Sequence, residues 1–316
     1  MKKEIGTFVL LVVLCVIVSI ISPSFLAPAN LQNLARLIGM YGIFSIGIGV
    51  VIMTGGIDLS VGSIFALLGV LLSIMLTEWR LPGILAVGVV LAVGLGLGLL
   101  HGVLITRVRI QPFIVTLCGL LFYRGLARFI ASDETKGFGG GGFETLREVA
   151  TGSLFSIPMP FILLLLVSAV MWVALHRSVY GRYLFAVGRS EEAARYSGVN
   201  SRAVVTSAYM LSGLAAGIAG IVFAFYTNSI SPSSHGNFCE LYGIAAAVLG
   251  GCSLRGGEGS VVGIIIGAAL LQVLQNLVNL LGIPSSLNFA VMGAVILIGV
   301  IGDQIYQRRS AKVRPA

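Results

Sequence analysis

The chain has 316 residues, of which 57% are hydrophobic and only 10% are charged, and its formal net charge is +8. Its mean hydropathy of +1.02 excludes a soluble globular protein, because most side chains have to face lipid or one another. The positive charge does not indicate nucleic acid binding, since the basic residues lie between apolar segments and near the chain ends, where membrane topology explains them.

Ten apolar segments follow one another, and each is expected to form one helix of an all-α polytopic membrane protein. They cover residues 6–22, 35–53, 60–77, 82–104, 112–131, 159–176, 204–226, 240–252, 260–281 and 287–303. No separate soluble domain fits beside them, so we expect one transmembrane domain over residues 1–316. Thr7 to Ile21 follows two lysines but lacks a good cleavage site, which favours a retained helix over a signal peptide.

Basic residues are distributed unevenly between the two sides that ten crossings define. With the amino terminus in the cytoplasm, both basic termini are inside, and the inner loops hold Arg107, Arg109, Arg177, Arg182, Arg189, Arg195, Arg202 and Arg255. The outer edges hold Arg36, Arg80, Lys136 and Arg147. The positive-inside rule therefore predicts that both termini are cytoplasmic.

The break between the second and third segments runs from Thr54 to Ser63 and contains Gly55, Gly56 and one charged residue, Asp58. A carboxylate near the bilayer centre costs about 2.5–3.5 kcal/mol on insertion scales, so Asp58 should face protein, water or a helix end. Two compatible roles remain open for it. One is a cap of the third helix that accepts an amide hydrogen from Ser60 or Val61, and the other is a substrate or gating contact.

An outer interruption, residues 131–158, contains the glycine-rich run from Gly137 to Phe143. So many glycines carry a large ordering entropy, and the run predicts a flexible periplasmic loop. A contact with a partner protein is the alternative.

The cytoplasmic interruption, residues 177–203, contains the signals of a short helix over residues 190–198. Ser190 is a capping residue, Glu191 and Glu192 occupy the first turn, Arg195 the last turn, and Gly198 terminates the helix. Two turns are marginal alone in water, so this helix needs a surface to dock against. A connector on the membrane surface and a mechanical contact with a cytoplasmic partner both fit.

A second glycine break extends from Gly250 to Ser260. Aligned on the double glycines, Gly55-Gly56 and Gly250-Gly251, both breaks read Gly-Gly-x-x-Leu and reach a Gly-Ser pair before the next apolar segment. Paired glycine-interrupted segments indicate an internal repeat with a transport pathway between the halves. Glu240, just before the eighth segment, is a second acid at a membrane edge, and a helix cap is its alternative role.

The chain lacks the motifs of an enzyme. No phosphate-binding loop is present, and the only lysines are Lys2, Lys3, Lys136 and Lys312, so any ATP is expected on a partner. No cluster of histidine, cysteine and carboxylate suits metal binding or nucleophilic catalysis, and we assign no catalytic or metal-binding residue. The three histidines lie near segment ends, which is typical of interfacial positions.

Several stretches of the sequence resemble the motifs of one protein family. Residues 55–63 resemble the signature of the ribose-type permease subunits of bacterial ABC importers. Residues 111–117, 181–188 and 240–251, with Ser253-Leu254, resemble further family motifs in the same order, so the similarity covers nearly the whole chain. One position departs: the family often has an acid two positions after Glu240, where this chain has Tyr242. We therefore transfer no sugar preference.

The resemblance implies a type II importer-like fold in the bacterial inner membrane and the import of a ribose-like monosaccharide by alternating access. It also implies three protein partners: an ATPase subunit that holds ATP and magnesium, a second permease copy or paralogue, and a periplasmic sugar-binding protein. The short helix becomes a coupling helix that docks on the ATPase. Residues assigned to the pathway and its gating are Gly55, Gly56, Asp58, Ser60, Glu240, Gly250 and Gly251.

A self-contained secondary transporter is the alternative from another class. It normally needs several intramembrane ionisable residues as a relay, for which Asp58, Arg124 and Arg128 are the main candidates. Few polar or aromatic side chains cluster in the segments to hold a sugar; Tyr123, Arg124, Tyr226 and Asn228 are the exceptions.

Overall fold

The structure is a computed structural model that describes residues 2–139 and 143–284, together with residues 287, 290, 293, 294 and 297. Its helices are α1 (Lys2–Ile21), α2 (Pro28–Met53), α3 (Val61–Thr77), α4 (Gly83–Thr106), α5 (Pro112–Ile130), α6 (Glu144–Thr151), α7 (Met159–Trp172), α8 (Val179–Arg189), α9 (Glu191–Tyr196), α10 (Ser201–Thr227), α11 (Cys239–Leu249) and α12 (Val261–Leu280). Four two-residue strands are β1 (Lys136–Gly137), β2 (Ser153–Leu154), β3 (Ile157–Pro158) and β4 (Ser229–Ile230). A 3₁₀ turn spans Pro23–Leu26, and a π-helical turn, Val173–Arg177, continues α7.

Seven of these helices are long and apolar enough to cross a bilayer: α1, α2, α4, α5, α7 with its π-helical turn, α10 and α12. Two shorter apolar helices, α3 and α11, complete the set. These nine helices coincide with the first nine predicted segments, and they confirm an all-α polytopic architecture. The tenth predicted segment, 287–303, lies outside the described residues except at the five isolated positions given above.

Helices α2 and α3 form the centre of the bundle. Every residue of α2 from Ile43 to Met53 is buried, and so is every residue of α3 from Val61 to Leu76 except Leu71. Helix α2 packs against α7, α10, α11 and α12, whereas α3 packs mainly against α5 and α10. A helix that is apolar all round is one that other elements surround, so the two share one core.

Glycines allow α4 and α10 to approach each other closely. A Cβ atom at Gly94, Gly98 or Gly102 of α4 would collide with α10, where the facing residues are Thr206, Tyr209 and Gly213. Four-residue spacing of small residues is a common way to pack membrane helices. At Gly88 and Gly96, no described residue outside the surrounding helix backbone comes within 4 Å of such a Cβ, so only some glycines of α4 serve close packing.

The interruption 131–158 is not the flexible loop that its composition predicts. Strand β1 pairs antiparallel with β4, β2 with β3 forms a hairpin, and α6 lies between them. Leu146 of α6 packs on Gly83, and Phe138 stacks on Phe225 with ring centroids 4.7 Å apart. These contacts with distant residues hold the described parts of the interruption in place; residues 140–142 lie outside the described part of the chain.

Candidate translocation and coupling site

Two ends of the bundle have to be distinguished. We call the end that carries α9 and the loop 250–260 the α9 end, and the opposite end, where α6 and β4 lie, the α6 end. The residues predicted as a pathway fall into two clusters, one at the α9 end and one about halfway along the helices.

Both glycine breaks end a helix in the same way. After α2, Gly55 has a left-handed φ of 83°, and the amide of Gly56 donates to the Val51 carbonyl at 3.1 Å. After α11, Gly251 has a φ of 93°, and the amide of Cys252 donates to the Ala247 carbonyl at 2.9 Å. This is the glycine-terminated helix end that a left-handed residue permits. The left-handed residue is the first glycine of one pair and the second of the other, so the structural correspondence is shifted by one residue from the sequence alignment.

The two breaks meet at the end of α8. The amide of Gly257 donates to the Met53 carbonyl at 2.9 Å. A Cβ at Gly256 would lie 2.6 Å from the Gly188 carbonyl oxygen and 2.8 Å from the Gly55 nitrogen. A Cβ at Gly188 would collide with Met53 and Gly257. We call these contacts the glycine junction, and Arg189 leads from it directly into α9.

Asp58 is buried, with 1% of its surface exposed. One carboxylate oxygen accepts the amide of Ser60 at 3.0 Å and its hydroxyl at 2.6 Å, while the other accepts the hydroxyl of Ser212 at 2.8 Å. The predicted hydrogen bond from the Ser60 amide is therefore present. A second tie lies beside it, since the Tyr209 hydroxyl donates to the Ile57 carbonyl at 3.1 Å. In this conformation Asp58 faces protein on α10.

The depth of Asp58 follows from its partner on α10. Ser212 is the twelfth residue of that 27-residue helix. At about 1.5 Å per residue it lies about 17 Å from the α9 end of the helix, close to the middle of a bilayer of about 30 Å. The irregular stretch from Gly56 to Ser60 thus carries the chain from the α9 end to mid-depth before α3 begins.

Helix α11 also begins at mid-depth, and its start faces the start of α3. A Cβ at Gly62, the second residue of α3, would collide with the Gly236 carbonyl and the Glu240 carboxylate. Arg124 of α5 donates to the carbonyls of Gly62 at 3.2 Å and His235 at 2.7 Å, and also to that of Pro232. We call this cluster the mid-depth junction. Free amides at helix starts favour a carboxylate, which explains the buried Glu240.

The short helix predicted over residues 190–198 is present as α9, Glu191–Tyr196, with Ser190 as its cap. Ser190 accepts the amide of Ala193 at 3.2 Å, and Gly198 has a left-handed φ of 83°. Ala194 is the only side chain of α9 that is buried. Glu191 accepts the Ser201 hydroxyl at 3.0 Å, which ties α9 to the start of α10. Glu192, Arg195 and Tyr196 are exposed, Tyr196 to 78%.

The remaining predicted residues have structural partners. Gly250 packs closely on Gly263 of α12. Arg124 donates hydrogen bonds to three backbone carbonyls, and the Tyr123 hydroxyl forms a hydrogen bond with Nε2 of His101 at 2.8 Å. Neither side chain is therefore free to contact a sugar in this conformation. Arg128 pairs with Asp133 on the surface. His101 and His235 are buried within the protein.

Sequence reasoning did not identify Gly188, Ser212 or Tyr196. Gly188 lies in the family-like stretch 181–188, and Tyr196 is an aromatic residue in a short charged helix, so both had a local signal. Ser212 had none, because its partner Asp58 is 154 residues away. Within the described residues, no three histidine, cysteine or acidic side chains are placed to hold a metal ion.

Comparisons with known proteins identify a family and several relatives. Residues 30–300 match the family described as branched-chain amino acid transport system / permease component. Ribose import permease protein RbsC of Bacillus subtilis (strain 168) is 39% identical over 308 residues, 96% of this chain and 93% of that protein. RbsC of Escherichia coli (strain K12) is 38% identical over 304 residues, 95% of this chain and 93% of that protein.

A third relative is named for another substrate. Autoinducer 2 import system permease protein LsrD of Photorhabdus laumondii is 34% identical over 267 residues, 84% of this chain and 80% of that protein. No solved structure matches the chain.

Proposed function

This chain belongs to the permease-component family of branched-chain amino acid transport systems, and from that premise we propose that it is the membrane subunit of a sugar-importing ABC transporter. It is a multi-pass protein of the inner membrane. Relatives named as ribose import permeases cover nearly all of it, which supports a ribose-like monosaccharide as the transported solute. A self-contained secondary transporter is not favoured. Arg124, Asp58 and Glu240 are each engaged in the packing of the described core rather than aligned as a relay.

The chain performs translocation while a separate ATPase subunit, which holds ATP and magnesium, hydrolyses the nucleotide. A periplasmic binding protein delivers the sugar, and a second permease copy or a paralogue completes the membrane part. Placing the α9 end in the cytoplasm puts α9 opposite the ATPase, as the positive-inside rule expects.

The observation that carries this proposal is the glycine junction. Helix α9 presents exposed Glu192, Arg195 and Tyr196, and it continues from Arg189 at the end of α8. Gly188 of α8 touches both Met53, at the end of α2, and Gly257. If the ATPase displaces α9, the displacement is therefore transmitted to both glycine breaks. It passes through direct backbone contacts, in which no flexible side chain could absorb the movement.

The route from the glycine junction to the pathway is short. Seven residues, Thr54 to Ser60, connect the end of α2 to the start of α3 at the mid-depth junction. In the second break, Gly250 and Gly251 join α11 to the loop that Gly257 fastens to Met53. Tilting α8 thus moves the inner supports of both short helices, α3 and α11. Alternating access requires such bistable elements with different contacts in the two states.

The experiment that tests this proposal is affinity capture of the tagged permease from mild detergent. In Glu192→Arg/Tyr196→Ala, one charge is reversed and one exposed ring removed, while the Glu191–Ser201 bond stays intact. We expect the wild type to recover a phosphate-loop ATPase and the variant to lose most of it. Glu148→Arg, the same charge reversal on exposed α6 at the other end, is the matched control and should recover the ATPase fully.

Equal recovery from both variants would show that α9 does not dock on the ATPase. Absence of any ATPase with the wild type, combined with solute uptake by the purified chain alone, would replace the ABC proposal by a secondary transporter.

A further inference from the structure

A group of aromatic side chains joins α2, α10 and α11 on the α6 side of the mid-depth junction. The ring of Tyr41 lies 5.5 Å from that of Tyr242 and 6.3 Å from that of Phe223, measured between centroids. Phe223 in turn lies 6.2 Å from Tyr226 and 5.1 Å from His235. The guanidinium of Arg36 lies 5.9 Å from the Tyr226 ring centroid. We call these residues the aromatic strip: Arg36, Tyr41, Phe223, Tyr226, His235 and Tyr242.

The aromatic strip leads from the α6 end to mid-depth. Tyr226 is the last residue but one of α10, and Arg36 lies in the first half of α2, so both are near the α6 end. Tyr242 is the fourth residue of α11, and His235 offers its carbonyl to Arg124 in the mid-depth junction. A solute that followed this strip would arrive where the starts of α3 and α11 meet.

Hydrogen bonding separates the tyrosines of the strip from three others in the bundle. Tyr123, Tyr180 and Tyr209 bond through their hydroxyls to His101, Ser207 and the Ile57 carbonyl, respectively. In the part of the chain that the structure describes, the hydroxyls of Tyr41, Tyr226 and Tyr242 have no such partner. The hydroxyls of Tyr123, Tyr180 and Tyr209 therefore stabilise the fold. The three hydroxyls of the strip are available to hydrogen-bond a ligand.

Two further polar groups of the strip have no hydrogen-bond partner among the residues that the structure describes. Nε2 of His235 is buried without a hydrogen bond, and His235 is only 7% exposed; Nε of Arg36 is likewise buried and unbonded. Buried polar groups normally have partners, and at membrane depth lipid supplies none. Five unused polar groups beside aromatic rings are what a mainly apolar binding site with a few orienting polar groups contains.

We propose that the aromatic strip is a transit subsite for an uncharged, polyhydroxylated ring, which rests on the proposed function as a sugar importer. The aromatic faces pack against the C–H faces of the sugar. Tyrosine hydroxyls both donate and accept, the guanidinium donates, and the imidazole nitrogen does either according to its tautomer. The strip holds one cationic side chain, Arg36, and no carboxylate, which argues against a cationic ligand.

The test removes hydroxyls and keeps the rings. Tyr41→Phe and Tyr242→Phe are assembled with the ATPase subunit in proteoliposomes, and uptake of radiolabelled ribose is measured with the binding protein present. Since one hydrogen bond is worth roughly two- to tenfold in rate, we expect each variant to lose about that factor in uptake. ATP hydrolysis stimulated by the loaded binding protein and the melting temperature should stay at wild-type values, because neither hydroxyl is used in the fold.

Two control variants separate transit from packing. Tyr183→Phe, which changes an exposed side chain of α8, should leave both uptake and melting temperature unchanged. Tyr209→Phe, which removes a hydrogen bond inside the fold, should lower the melting temperature. Wild-type uptake in both strip variants would overturn the proposal and identify the strip as packing, and so would an uptake loss that follows a fall in melting temperature. Absence of sugar uptake by the wild-type complex would overturn the proposed function itself and the subsite with it.

Discussion

Among single side chains, Asp58 best distinguishes a structural from a pathway role. Its carboxylate accepts three hydrogen bonds, two from Ser60 and one from Ser212. Asp58→Ala leaves the Ser60 amide and the Ser212 hydroxyl without this acceptor at mid-depth, and an unsatisfied buried group costs about 1–3 kcal/mol. We expect a lower melting temperature and reduced uptake. Thermal unfolding followed by intrinsic fluorescence and uptake by proteoliposomes check this.

The isosteric change Asp58→Asn isolates the charge. The amide keeps one oxygen acceptor for Ser60, and the Ser212 hydroxyl can turn to accept from the new amide group. We therefore expect Asp58→Asn to retain most of the stability and most of the uptake. If Asp58→Asn folds like the wild type but transports nothing, the negative charge itself is required for translocation. A role of Asp58 that is limited to packing would then be wrong.

At the scale of contacts between helices, the close packing of the glycine junction requires that residue 188 has no side chain. Gly188→Ala places a methyl group against Met53 and Gly257, where backbone atoms rather than flexible side chains have to move. Overpacking of this kind costs about 1–3 kcal/mol. We expect a lower melting temperature and fewer sugar molecules imported per ATP hydrolysed, since the contact between α8 and both breaks is displaced. Uptake and phosphate release measured on the same proteoliposomes give this ratio.

Gly96→Ala is the matched change in α4. Apart from the helix's own backbone, no described residue comes within 4 Å of the new methyl group, and alanine is about 0.5–1 kcal/mol better than glycine inside a helix. The melting temperature should therefore be equal or higher and the import ratio unchanged. A Gly188→Ala protein that behaves like Gly96→Ala would rule out the glycine junction as the mechanical link.

The sequence was informative for helices and weaker for what lies between them. Apolar runs located nine helices because a bilayer imposes length and hydropathy on each of them. Local signals also predicted α9, from Ser190 as its cap to Gly198 at its end. The region 131–158 was predicted wrongly, because its order depends on β4 and α10, which lie about ninety residues further along the chain.

The candidate site, too, could be predicted only in part. The double glycines and the acids Asp58 and Glu240 stand out in an apolar sequence, so their positions could be predicted. Their partners could not, since Ser212 and Arg124 have no periodic or compositional signal that points to a distant break, and the local signal at Gly188 does not indicate which residues it contacts. The depth of the first break became measurable only from the helix residue that bonds Asp58.

For the molecule as a whole, the direction in the membrane remains a prediction, and thiol labelling tests it. Native cysteines are replaced first, because Cys118 is exposed and Cys15 partly so. Ser197→Cys then marks the exposed end of α9, and Thr145→Cys marks exposed α6. In spheroplasts, a membrane-impermeant maleimide should label Thr145→Cys at once and Ser197→Cys only after the membrane is opened. This result follows from the excess of arginine at the α9 end.

The reverse labelling pattern would place α9 outside the cell, away from any ATPase. It would then contradict the coupling role of α9 as well as the orientation, because ATP is available only in the cytoplasm. The direction of the aromatic strip would also be inverted, since it would open to the cytoplasm instead of towards a periplasmic binding protein. One labelling experiment thus tests whether α9, the glycine junction, the mid-depth junction and the strip are arranged in the order that import requires.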